Sequence, residues 1–176
     1  MNIQKLPTTK WLMAFVMLAA IGLSACGFHL RGAGQDMSSI GALYIASADP
    51  YGKVTKDLKR ILESSNAKLL ESPAGAQYTL YLLKEEQTRR VLSFSAGGRP
   101  LEYEVYLGQQ FHISDQAGEE VVPQNTISQT RSYVFDEANV LGKRSEEARL
   151  LGDMRRSVVQ QLMRRLLALS KSSKQG

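Results

Sequence analysis

Residues Leu101 to Ser114 alternate with a period of two. Tyr103, Val105, Leu107, Phe111 and Ile113 fall on one side, and Glu102, Glu104, Gln110 and His112 on the other. A strand written this way is dry on one face and wet on the other, which calls for an antiparallel sheet covered on one side only. Neighbouring segments supply its partners. Upstream, Tyr78, Leu80 and Leu82 alternate with Thr79, Tyr81 and Leu83 before a wholly polar "KEEQTRR" and then "VLSF". That pattern predicts one long strand with a bulge or polar interruption. Gly97-Gly98 and Pro100 mark a hairpin turn between the two. Ser114 to Glu120 reads as another turn, and Asn125 to Asp136 as a further strand, polar in its first half. Ala42 to Ser47 is a short apolar strand closed by Asp49-Pro50-Tyr51-Gly52.

Two segments carry helical spacing instead. Between Val54 and Asn66, the apolar residues Val54, Leu58, Ile61 and Leu62 stand at i, i+4, i+7 and i+8, with Lys53, Lys56, Lys59 and Glu63 mostly off that stripe. Near the C-terminus, Ser145 reads as the cap of a long helix with Glu146 and Glu147 in its first turn. Leu151, Met154, Val158, Leu162, Leu166 and Leu169 form its apolar stripe. The predicted fold is α+β, in the order β-α-β-β-β-α. It is a two-layer sandwich with two helices on one face of a four-stranded mixed or antiparallel sheet, whose other face stays polar.

The N-terminus has a different grammar. Lys5 and Lys10 precede an apolar run from Trp11 to Gly22, with no acid before Cys26. Such a run, about 18 Å as a helix, is short against a hydrocarbon core of about 30 Å, so it reads as an export signal and not as a membrane span. Leu23-Ser24-Ala25-Cys26 resembles a bacterial lipobox, in which the cysteine thiol takes a diacylglycerol group and its freed amine is acylated. Three acyl chains make release from a membrane negligible. Gly27, where an aspartate would retain an enteric lipoprotein in the inner membrane, favours the outer one. Four regions follow: a signal peptide over 1–25, a lipidated cysteine and tether over 26–41, a single α+β domain over 42–169 and a disordered tail over 170–176. Cys26 is the only cysteine, so no disulfide supports the mature chain and its apolar core must do so. The mature chain keeps +3 of the net charge of +5, too little to argue for nucleic acid.

No catalytic constellation assembles. His29 lies in the tether and His112 on a wet strand face, with no cluster at metal-ligand spacing, no nucleophile elbow and no phosphate loop. Neither a catalytic role nor a cofactor or metal is therefore expected. Basic residues near strand ends are the remaining chemistry. Arg89, Arg90 and Arg99 flank the first hairpin, Lys143 and Arg144 occupy a loop entering the last helix, and Arg149, Arg156 and Arg164 line one side of that helix. Arginine suits bidentate phosphate contacts, while a solvated face aiding solubility is the competing reading.

The Cys26-to-Arg31 stretch "CGFHLR", Glu102-Tyr103 after the hairpin, Arg131-Ser132-Tyr133 with Phe135-Asp136, and a basic segment before a long helix occur in that order. Together they resemble the LPS-assembly lipoprotein family LptE. The resemblance implies a two-helix, four-stranded sandwich on the inner leaflet of the outer membrane. It also implies a plug within the lumen of the β-barrel LptD and a share in delivering lipopolysaccharide to the cell surface. Polar strands such as "EEQTRR" and "NTISQTRS" suit a barrel interior. The family's glycolipid contacts carry over to Lys143 and Arg144, and less directly to Arg99, because Ser95-Ala96 stand at the hairpin position. The alternative is an accessory lipoprotein of an envelope ABC exporter that binds lipid or peptide and has no barrel partner.

Overall fold

The computed structural model describes residues 37–172, so the expected signal segment, Cys26, His29 and the last four residues lie outside the described part. In chain order the elements are a 3-10 turn (Ser38–Ile40), strand β1 (Ala42–Ser47), helix α1 (Lys53–Ser64), strands β2 (Lys68–Leu70), β3 (Tyr78–Phe94), β4 (Pro100–Asp115) and β5 (Glu120–Val134), a second 3-10 turn (Glu137–Asn139) and helix α2 (Val140–Ser172). Strand β1 pairs in parallel with both β2 and β3, and β3-β4-β5 pair antiparallel, giving the order β2-β1-β3-β4-β5.

The sheet therefore has five strands where four were expected, and the element order gains a strand after the first helix. The added strand is three residues, Lys68 to Leu70, too short to display an alternation. It forms because α1 is stopped sharply. Asn66 adopts φ 59°, and the Ala67 N–H reaches back to the Leu62 carbonyl at 3.1 Å, closing the helix and returning the chain alongside β1. Strand β5 starts at Glu120, ahead of the expected Asn125, and holds Pro123. It is the sheet's outer strand, and its pairing with β4 slips between Phe111 and Ile113, which lets a proline sit there.

Both helices cover the same face. Leu43, Leu80, Leu107, Phe111 and Ile113 from the sheet meet Leu58 and Leu62 of α1 and Val158, Leu162 and Leu166 of α2, all at most 1% exposed. Each such side chain is worth about 1.5–3 kcal/mol of transfer free energy. The alternation in β4 is observed as read, with Val105, Leu107, Phe111 and Ile113 buried. Two expected boundaries shift. Met37 and Ile40, assigned to the tether, are fully buried. Ser170, assigned to the tail, lies within α2, is 3% exposed and bonds the Leu167 carbonyl at 2.8 Å.

The interruption expected in β3 is a bulge. Pairing steps from Leu82↔Phe111 to Glu85↔Gln109, so Leu83 and Lys84 insert one extra residue. A slip of one residue exchanges the faces of everything beyond it. Glu85 is thereby turned under the helices, where its Oε2 accepts the Val54 N–H at 3.5 Å and caps an α1 terminus that Gly52 leaves without a side-chain cap. Buried Gln109 satisfies its amide by donating to the Gln110 and Leu83 carbonyls.

Candidate functional site

The β3–β4 hairpin turns tightly: Ser95 N–H donates to the Arg99 carbonyl at 2.8 Å and Gly98 N–H to the Ser95 carbonyl at 2.9 Å. Gly98 sits at φ 74°, a conformation glycine takes without penalty, as the Gly-Gly pair suggested. The turn delivers Arg99 to the end of the sheet, where its guanidinium donates to Glu137 at 2.7 Å, in the 3-10 turn preceding α2.

Lys143 and Arg144 are not in a loop, and Ser145 is not the cap of the last helix. Helix α2 begins at Val140, capped by Asn139, whose Oδ1 accepts the Gly142 N–H at 3.1 Å. Asp136 does the same for the preceding turn, accepting the Ala138 N–H at 2.9 Å. Ser145 lies in the second turn and bonds back to the Leu141 carbonyl. Lys143 and Arg144 thus occupy the first turns of α2, at the positive end of its dipole. The Lys143 ammonium donates to Glu146 at 2.8 Å. Arg144 is exposed and has no ionic partner among the described residues. The pair to Glu137 is mostly solvent-exposed and the one to Glu146 partly so; surface pairs of this kind contribute only about 0–1 kcal/mol.

Strand alternation puts the other two hairpin arginines on opposite faces, and the β3 bulge decides which of them faces α2. Arg90 falls on the open face and pairs with Glu104 across the strands at 2.6 Å. Arg89 falls under α2, over the Tyr103 ring at 4.6 Å, and donates to Glu147 at 3.1 Å. The Tyr133 hydroxyl donates to the same carboxylate at 2.7 Å. Tyr103 stacks on Tyr133 with centroids 5.8 Å apart and meets Phe135 edge-on at 5.4 Å. Burial first, then the bond to Glu147, pushes the Tyr133 phenol up to about 12. The Tyr103, Tyr133 and Phe135 motifs quoted from the sequence are thus one aromatic cluster under the start of α2. The sequence marks Glu147 only as a first-turn acid of the last helix, not as a partner of the strands. Its signal is its place one turn beyond Lys143 on the same helix face.

Of the remaining sequence candidates, Arg149, Arg156 and Arg164 are exposed along α2, and Arg156 pairs with Asp153. His112 stacks on Tyr81 at 4.3 Å.

A family model described as LptE, lipopolysaccharide-assembly, matches residues 40–166. The LPS-assembly lipoprotein LptE of Pectobacterium atrosepticum is 30% identical over 156 residues, covering 88% of this chain and 84% of that protein. The protein of the same name from Photorhabdus laumondii is 27% identical over 163 residues, with 90% and 86% covered. Among solved structures, lipoprotein B of Nitrosomonas europaea superposes with a TM-score of 0.69 at 28% identity, over 82% of this chain and 93% of its own. Rare lipoprotein B of Shewanella oneidensis gives 0.67 at 22% identity, over 76% and 98%, a likeness of fold.

Proposed function

Since the chain belongs to the LptE family of lipopolysaccharide-assembly lipoproteins, we propose that it is held in the outer membrane through acyl chains on Cys26. It plugs the lumen of the LptD β-barrel, helps that barrel assemble, and binds lipopolysaccharide on its way to the cell surface. Its work is scaffolding and binding, without catalysis. Arg99, Lys143 and Arg144 meet the glycolipid phosphates.

One observation carries this reading: the place where the chain enters the fold and the cationic end lie at opposite ends of α2. Ser39 shares a hydrogen bond of 3.3 Å with Ser170 at the C-terminal end of the helix, whereas Arg99 reaches Glu137, just before its first residue. The 33 residues of α2 span about 50 Å, and the 17 of β3 about 55 Å. A barrel's outer apolar band is about 25 Å tall. A body of this length, tethered at one end, presents its cations well beyond the other side of such a band. The open sheet face suits a polar lumen, since Thr126, Ser128, Thr130 and Ser132 line the outer strand in exposed positions.

Solubilising the outer membrane in mild detergent and isolating the chain through a tag tests the reading. A large β-barrel is expected to copurify. Recovery of the chain without one overturns the plug and favours the exporter alternative.

A further inference from the structure

The first turns of α2 have little apolar hold on the sheet. Val140 and Leu141 are 38% and 78% exposed, and the fully buried stripe of the helix starts only at Met154. The Asn139 side chain caps the helix but bonds only to the helix itself. The Arg99–Glu137 pair is exposed. Glu147 is different. It is 20% exposed and takes two donors from two strands, Arg89 of β3 and Tyr133 of β5. Its donors are themselves held, because Arg89 lies on the Tyr103 ring and that ring stacks on Tyr133. Lys143 stands one turn before Glu147 on the same side and is similarly shielded, at 21%.

We propose that Glu147 is a positioning residue. By gathering the Tyr133 hydroxyl and the Arg89 guanidinium, it fixes the first two turns of α2 on the sheet and so sets where the Lys143 ammonium meets a glycolipid phosphate. The inference rests on the reading of Lys143 as a glycolipid contact. Its sign is diagnostic. If only charge mattered, removing a carboxylate beside a phosphate-binding lysine would tighten anion binding. Loss of positioning weakens it, because the competent arrangement is then populated only part of the time.

The test uses the full chain with Glu147→Ala and Glu147→Gln, each in the parent and in a Lys143→Ala background. Amide hydrogen exchange of residues 140–147 is expected to speed up by roughly tenfold in Glu147→Ala, with residues 154–166 unchanged. Unchanged exchange at 140–147 overturns the latch. Binding of purified lipopolysaccharide is expected to weaken about three- to tenfold in Glu147→Ala, and less in Glu147→Gln, which keeps an acceptor for Tyr133. In the Lys143→Ala background the same change leaves binding unchanged or slightly tighter. A further loss there, or tighter binding in the parent background, overturns the link to Lys143. A Lys143→Ala chain that binds as tightly as the parent removes Lys143 from the glycolipid site and with it the premise of this inference. That outcome is distinguishable from failure of the latch, because hydrogen exchange is read without glycolipid.

Discussion

Tyr133 shows how one side chain can serve packing and polarity together. It is 7% exposed, its ring stacks on Tyr103, and its hydroxyl ends on Glu147. Its folded pKa of about 12 lies above the ordinary value of 10. The neutral phenol is therefore favoured by folding. Its contribution to stability is complete below about pH 10 and disappears as pH rises through about 12. Denaturant unfolding of the parent and of Tyr133→Phe should show a constant stability difference from pH 7 to pH 9. The difference should shrink above pH 10; a gap that stays constant to pH 11 contradicts the assignment.

At the scale of elements, helix α2 illustrates why a sequence can locate a helix and still misplace its start. Ser145-Glu146-Glu147 has the composition of a first turn, but the Asn139 amide already satisfies the Gly142 N–H six residues earlier. Replacing Asn139 by alanine should cost about 1 kcal/mol in chemical denaturation, whereas Ser145→Ala should stay within about 0.5 kcal/mol. Equal costs would favour the later start. Elsewhere the sequence was legible wherever a period had room to repeat. Strand β1 has the bounds its sequence suggests, and the inward face of β4 is the one read from its alternation, with Tyr103 only partly buried. The helix stripes reach the core, although Ile61, Leu151 and Leu169 are only partly buried and the buried Val159 and Met163 lie outside the predicted stripe. Strand β2 escaped because three residues hold no period. The bulge in β3 was foreseen, but its consequence was not. Which of two adjacent arginines faces α2 depends on one inserted residue, and only pairing with β4 reveals it. Lys143 and Arg144 stand out in the sequence by charge and by the family resemblance; their place on a helix follows from the Asn139 cap, and the Glu147 contacts behind them arise from tertiary packing.

For the molecule as a whole, the cationic end and the core are energetically separate. Arg99 and Lys143 reach only surface carboxylates, far along α2 from the Leu162 and Leu166 layer. Reversing both, Arg99→Asp with Lys143→Asp, should weaken lipopolysaccharide binding severalfold at low ionic strength while moving the thermal midpoint by about 2 °C or less. Copurification of a barrel should survive the change. Undiminished glycolipid binding by that double variant would remove both residues from the site.

The 3-10 turn at Ser38–Ile40 has a mechanical corollary. Met37 N–H holds the Ser65 carbonyl at the close of α1, and Ser39 touches Ser170 near the close of α2, with Met37 and Ile40 wedged beneath. A pull on the chain ahead of Met37 does not unzip an edge strand, because β1 lies between β2 and β3. It acts first on a segment hydrogen-bonded to the close of both helices, so the load is shared between them.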